Sequence, residues 1–319
     1  MRAAAGDKCP TMGYIVKIMD TLASHRDRRA PAADHPAYAI FEAPEQTVPF
    51  VFASPHSGID YPPEFVSAAR LDPVSLRRSE DSFVDELFAS APEHGAPILC
   101  AKFPRAYVDP NREPFELDPE MFADPLPSYV NTASPRVAAG LGTIARVVTN
   151  GSEIYKRKLR FADALDRVNR LYRPYHDALQ GLIDRTKERF GHSILIDCHS
   201  MPSIGGPMDK DPGRRRVDFV LGDSHGGSCD PRLTDLAEEF LGDMGYVVRR
   251  NLPYAGGFTT RHYGRPANDV HALQIEINRA IYMDEDRFER LAAFDTVARN
   301  MGRLVGALTS GAVLEPIGA

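Results

Sequence analysis

Two histidines stand in matching local settings. His199 follows the apolar run Ile194–Cys198 in SILIDCHSMPS (193–203), and His56 follows the apolar run in VPFVFASPHSG (48–58). A serine comes directly after each, Ser200 and Ser57. One such histidine is most simply a hydrogen-bonded side chain at a strand end. Two of the same build point to a shared task. A catalytic zinc site takes three protein ligands from histidine and carboxylate and keeps one position open for water. His56 and His199 are the natural pair. The third ligand should be an acid, and Glu80 and Asp81 lie between the histidines in chain order. The plainer explanation of those two acids is capping of the helix that follows. Such a site also needs a carboxylate base. Glu276 sits in ALQIEINR (272–279), where strand alternation puts it on the same side as Gln274 and Asn278. Its plainer explanation is an exposed acid on a polar strand face.

Arg105, the pair Asn111 and Arg112, and Arg261 are candidates for holding a substrate carboxylate, because guanidinium grips it through two parallel hydrogen bonds. For any one arginine alone, a structural ion pair is the plainer explanation. Other chemistries find less support. Ser57, Ser200 and Cys198 lie in no GxSxG elbow, and a thiol inside an apolar strand is usually inert. Gly256-Gly257 is too short for a phosphate loop, and neither GxGxxG nor GxxxxGK[ST] occurs.

The elements that must carry these groups alternate along the chain. Apolar runs predict strands at Val48–Ala53, Ala96–Ala101, Ile194–Cys198, Val217–Gly222, Tyr246–Arg249 and Ala272–Arg279, with Thr143–Val148 a further candidate. Pro202 places the end of the His199 strand near that histidine. Helices are expected near Pro73–Arg78, over Ser82–Ala91, from Ser152 to Phe190 with a break near Pro174, over Asp230–Gly245, and from Glu285 to Leu308. Residues 202–216 are rich in Gly, Pro and Arg and read as a mobile loop, and 252–265 as a Gly-rich polar loop. Strand and helix alternation predicts an α/β fold with a mixed, mostly parallel sheet flanked by helices. A polar residue at the C-terminal end of a buried strand is where such sheets place ligand groups.

The totals bound the rest. The 319 residues carry a formal net charge of -6, which gives no footprint for nucleic acid or an anionic membrane. No apolar run reaches the roughly 20 residues that cross a bilayer. Four scattered cysteines, Cys9, Cys100, Cys198 and Cys229, form no CxxC pair, which argues against a disulfide framework and for a reducing, cytoplasmic setting. The first 30 residues have basic residues but no sustained apolar core, so no signal peptide is expected. Residues 1–34 read as an N-terminal arm and 35–319 as a single domain. The sequence does not reveal the oligomeric state.

The chain resembles the N-formylglutamate amidohydrolase family. The resemblance rests on SPHSG (54–58), ED (80–81) followed by VDELF, RAYVDPNREPFELDP (105–119), DCHSMP (197–202), GGFTTRHYGRP (256–266) and LQIEINRAIYMDE (273–285), in the family's order. It covers roughly residues 45–310 and implies a zinc-carboxypeptidase-like α/β fold and hydrolysis of the amide of an N-acyl amino acid, N-formyl-L-glutamate foremost. It implies Zn2+ on His56, Asp81 and His199, with Asp81 rather than Glu80 matching the family's pattern. Glu276 takes the general-base role. Asn111 and Arg112 resemble the pair that holds a substrate carboxylate in the related peptidases, and Arg261 is placed for a second one. The implied partner is a small acidic substrate. A carboxypeptidase, a deacylase for another acyl group and a non-catalytic binder of acidic ligands are the alternatives. The N-terminal arm and the 202–216 segment match no family signature.

Overall fold

The computed structural model describes residues 33–310 apart from position 208. The expected arm therefore lies outside the described residues, except that 33 and 34 belong to the first strand. Eight strands form one sheet: β1 (Ala33–His35), β2 (Tyr38–Phe41), β3 (Phe50–Ser54), β4 (Ile98–Ala101), β5 (Ser193–Met201), β6 (Phe219–Gly222), β7 (Val248–Arg250) and β8 (Val270–Asn278). Their order is β1-β2-β4-β3-β5-β8-β6-β7. The central run β4-β3-β5-β8 is parallel, as is β6-β7, while β1-β2, β2-β4 and β6-β8 are antiparallel. The mixed, mostly parallel α/β sheet is thus as expected.

Alternation along the central strands builds two cores. Phe50, Phe52, Ile194, Ile196, Leu273 and Ile275 point to one side. There they meet α2 (Pro231–Asp243) and α4 (Phe294–Thr309). Val51, Ala53, Leu195 and Ala272 point to the other side, toward α1 (Arg173–Phe190). Each large apolar side chain so buried stabilises the fold by roughly 1.5–3 kcal/mol relative to exposure. The second face turns polar toward the strand ends. Asp197 and His199 on β5 and Gln274 and Glu276 on β8 alternate with Cys198 and Ile275, which stay in the first core. The register pairs Asp197 with Gln274 and His199 with Glu276. Period-two alternation therefore brings the metal-type ligand and the acid side by side on one face.

Several elements differ from expectation. β5 does not end before His199 but runs on to Met201, because its pairing with β8 continues to Met201–Asn278. The helix expected over Ser82–Ala91 shortens to Val84–Leu87, followed by a 3-10 turn at Ala91–His94. It starts after Phe83, whose φ of +66° is strained for a non-glycine residue. Phe83 is held edge-on to Phe294 and under the Arg290 guanidinium. The long helical region begins at Phe161 rather than Ser152, because bridges Val147–Glu153, Ala69–Tyr155 and Phe122–Leu159 keep 153–159 extended. Pro174 does not break it. A π-helical segment, Val168–Tyr172, precedes the proline, which enters in the first turn of α1, where its missing N–H costs little. Thr143–Val148 is no strand. Loop 252–265 contains a helix, α3 (Phe258–Tyr263). The last helix starts at Phe294, since Met283–Asp284 pairs with Glu289–Arg290 in a small hairpin.

The 202–216 segment is tied down rather than free. Ile204 bridges to Arg215, and the buried Arg216 guanidinium donates to Asp209 and Asp211 and lies over the Tyr254 ring. The arginine-containing run that reads as a mobile loop supplies the anchor. Among the described residues, no helix is long and apolar enough to cross a membrane.

Candidate metal centre

His56, Asp81 and His199 converge, all buried, with one ligand atom from each inside a 4.8 Å span. The Asp81 Oδ2 atom lies 3.2 Å from His56 Nδ1 and 2.9 Å from His199 Nδ1. The two imidazole centroids are 4.8 Å apart. Three chain segments make this possible. His56 stands just past the end of β3, and His199 lies on the neighbouring strand β5. Asp81 is fastened to the His56 turn by its own backbone, since its N–H donates to the His56 carbonyl and Ser57 Oγ donates to the Asp81 carbonyl. Glu80 points elsewhere: its carboxylate accepts from Tyr61 Oη, Arg77 Nε and Ser82 Oγ. Of the two acids left open by their position in the sequence, Asp81 is the one beside the histidines.

The donor set suits a divalent cation. His56 Nε2 donates to Asp109 Oδ1 at 2.8 Å. Burial would raise the Asp109 carboxyl, but Arg105, Arg112 and His56 outweigh it and hold it well below the usual carboxylate range, so it only accepts. In the tautomer that carries its proton on Nε2 alone, His56 would turn an Nδ1 lone pair toward an Asp81 oxygen lone pair. A cation between them removes that repulsion. A carboxylate behind a metal-binding imidazole is also the common way of fixing its tautomer. Behind His199, Asp197 Oδ1 lies 3.0 Å from Nε2, yet this buried oxygen has no hydrogen bond of good geometry. Burial disfavours charge on His199, but Asp197, Asp81 and Glu276 raise its pKa well above the ordinary value. Burial pushes Asp81 the other way, and the two histidines override it, holding the carboxyl well below its usual range. The field that keeps a proton on His199 is the field that holds a cation in its place. Asp81 Oδ1 meanwhile accepts from Arg279 Nη2 at 2.9 Å, leaving Oδ2 to face the histidines.

Glu276 borders the same pocket. It is not the exposed strand acid that the plainer explanation describes: it is 7% exposed. Burial pushes its carboxyl up to about 7, and Asp81 adds to this, while His199, Arg105 and Arg279 pull it back. Gln274 Nε2 donates to Glu276 Oε1 at 2.7 Å, and Gln274 Oε1 accepts from Gly257 N at 2.7 Å. The acid is therefore aimed by its neighbour two residues back and by the loop before α3.

Residues 48–283 match the sequence profile of N-formylglutamate amidohydrolase. That span is most of the chain. The chain belongs to the N-formylglutamate amidohydrolase family. It is 30% identical over 245 residues to an N-formylglutamate deformylase of Pseudomonas putida, and 32% identical over 243 residues to one of Pseudomonas aeruginosa. Each alignment covers 75% of this chain and 83% of the relative. The crystal structure of N-formylglutamate amidohydrolase from Ralstonia eutropha JMP134 superposes with a TM-score of 0.79 at 38% identity, over 86% of this chain and 98% of that one.

In this family member the substrate-side candidates all reach one pocket of about 200 Å³, together with His56, His199 and Glu276. Arg105 Nε donates to Asp109 at 2.9 Å. Arg112 is buried and donates to the carbonyls of Leu141 and Asn111. The Asn111 carboxamide is already engaged, with Nδ2 3.1 Å from His199 Nε2 and Oδ1 accepting from Thr259 N. Position 257 admits only glycine here, because a Cβ would come within 2.2 Å of the Asn111 amide. Arg261 is exposed on α3, with Nη1 donating to the Gly256 carbonyl.

Four neighbours of the site escape the sequence reading. Asp197 leaves a signal, as the one charge inside an apolar run. Asp109 lies within the VDPNR motif without announcing its role. Arg279 and Gln274 carry no local signal: Arg279 reaches Asp81 across 198 positions, and Gln274 looks like any polar strand residue.

Proposed function

We propose that this chain is a zinc-dependent amidohydrolase that cleaves N-formyl-L-glutamate, with water, to L-glutamate and formate. One observation carries the reading: a buried His56–Asp81–His199 group with a buried acid, Glu276, on the adjacent strand of one arginine-lined pocket. Two imidazoles and one carboxylate are ligands typical of catalytic zinc. The names of the relatives support the substrate.

Bound there, zinc would polarise the amide carbonyl and acidify water. Glu276 takes a proton from the attacking water and returns it to the leaving nitrogen. Asp109 and Asp197 orient the two imidazoles, and Arg279 keeps Asp81 turned toward them. Arg105, Asn111 and Arg112 serve the carboxylate nearest the scissile amide, because Arg105 and Arg112 lean on the same Asp109 that supports His56. Arg261 serves the second carboxylate. Residues 35–319 act as one catalytic domain on a small acidic substrate. The buried Cys198 and Cys229, with no disulfide among the described residues, support a reducing, cytoplasmic setting.

The test is a substrate panel: N-formyl-L-glutamate, N-acetyl-L-glutamate and a dipeptide ending in glutamate. Formate release from the first, well above turnover of the others, is expected. Preference for the acetyl compound would move the enzyme to another deacylase, and cleavage of the dipeptide to a carboxypeptidase. No turnover of any of the three would contradict the proposal.

A further inference from the structure

Cations on the pocket wall fall into two groups. Arg105 and Arg112 are ion-paired with Asp109, and Arg279 with Asp81. Arg136, Arg261 and Lys210 have no carboxylate partner among the described residues, and of the three only the two arginines also border the adjoining pocket. Among the described residues Arg261 donates to the Gly256 carbonyl alone, and the Arg136 guanidinium has neither a hydrogen bond nor an ion pair. Both are exposed, and together with Arg112 both border the metal-side pocket and the one adjoining it.

Backbone contacts fix the segments that carry these two side chains. Arg136 sits in the short helix Pro135–Ala138, whose start is capped by Ser134 Oγ accepting from Val137 N. Leu141 N then donates to the Arg136 carbonyl, and the Leu141 carbonyl accepts from Arg112 Nε at 2.8 Å. Arg136 is thus one hydrogen-bonded link from Arg112. Arg261 rides on α3, which is anchored through Thr259 N to Asn111. The Arg136 and Arg112 guanidiniums repel each other. Burial lowers the Arg112 pKa to about 10, and the Arg136 charge adds to that effect. A pocket that holds unpaired like charges together is complementary to an anion.

We propose that Arg136 and Arg261 clamp the side-chain carboxylate of the substrate, and that Arg136 makes the enzyme choose a dicarboxylic N-acyl amino acid over its neutral counterpart. The inference rests on the hydrolase reading above and deepens it. The carboxylate nearest the amide goes to Arg105 and Arg112, whose partner Asp109 also supports His56. The more distant carboxylate then falls at the wall where the unpaired guanidiniums stand. A neutral amide in its place leaves those charges without their acceptor, and a site built for a charged hydrogen-bonding group rejects an analogue that lacks it.

The experiment compares N-formyl-L-glutamate with N-formyl-L-glutamine in wild type, Arg136→Gln and Arg136→Lys. Arg136 is exposed, so neither substitution threatens folding. In Arg136→Gln, KM for the glutamate compound is expected to rise about 10- to 100-fold, from the loss of a charge-assisted contact. KM for the glutamine compound stays where it was, and Arg136→Lys recovers part of the preference. Binding of glutarate against butyrate reads the clamp without turnover: wild type prefers glutarate, and Arg136→Gln loses most of that preference. An unchanged glutamate-over-glutamine or glutarate-over-butyrate preference in Arg136→Gln overturns the inference. Arg136-dependent glutarate binding in a wild type that releases no formate supports the clamp and removes the hydrolase reading instead.

Discussion

Glu276→Gln is expected to lower kcat for formate release by about 10²- to 10⁴-fold, the range lost with a general base. Metal content should stay that of the wild type, because Glu276 is not one of the three converging ligands. The substitution is nearly isosteric, and the new amide oxygen can still accept from Gln274 Nε2, which now supports Glu276 Oε1. It also removes a carboxyl that burial pushes up to about 7, so the fold loses no favourable charge. A wild-type Tm beside a collapsed kcat is therefore the signature. As a base, Glu276 works unprotonated, so its contribution falls as pH drops through its pKa. A cation on the neighbouring ligands draws that pKa downward by favouring the carboxylate. Activity within about threefold of wild type, far short of a general-base effect, would remove Glu276 from the chemistry and return it to the role of a buried strand acid.

His56→Ala and His199→Ala are expected to lose the metal, and formate release with it. Each change deletes one of three ligands: Asp109 loses its imidazole partner in the first variant but keeps Arg105 and Arg112, and Asp197 loses its nearest ring nitrogen in the second. Removing one member of a buried charged pair costs about 3–5 kcal/mol, so Tm should fall, and more in His199→Ala than in His56→Ala, where two arginines still hold Asp109. That fall separates folding from metal binding only if metal is counted on the folded fraction. Elemental analysis of the gel-filtered monodisperse variants does this. Wild-type stoichiometry retained in both variants would contradict the site.

Much of the site was legible because strand chemistry is local. Val48–Ala53 and Ile194–Cys198 are apolar and partly β-branched, and each run leads to a histidine. Period-two alternation predicted that Glu276, Gln274 and Asn278 share a side. The same alternation hid the burial of that side. A strand of a sheet covered on both faces has no solvent face, and nothing in ALQIEINR says what packs over β8. The end of β5 was misplaced because Pro202 marks where pairing must stop, whereas the pairing with β8 decides how far it runs. The segment 153–159 has the composition of a helix, and three isolated bridges, two of them to distant residues, hold it extended. Tertiary contacts override propensity in such places. The choice of Asp81 over Glu80 depended on the Tyr61, Arg77 and Ser82 side chains that occupy Glu80. The family pattern indicated Asp81 where local chemistry could not. Arg136 had no motif at all, and only its lack of an acidic partner among the described residues singles it out.

The central claim is that the histidine pair holds a zinc ion that formate release requires. The most direct measurement is elemental analysis of the purified chain, with N-formyl-L-glutamate turnover followed on the same preparation before chelation, after it, and after zinc is restored. The account predicts about one zinc per chain, the stoichiometry of a three-ligand catalytic site, loss of formate release on chelation, and recovery with zinc. Undiminished formate release from protein freed of metal would contradict it.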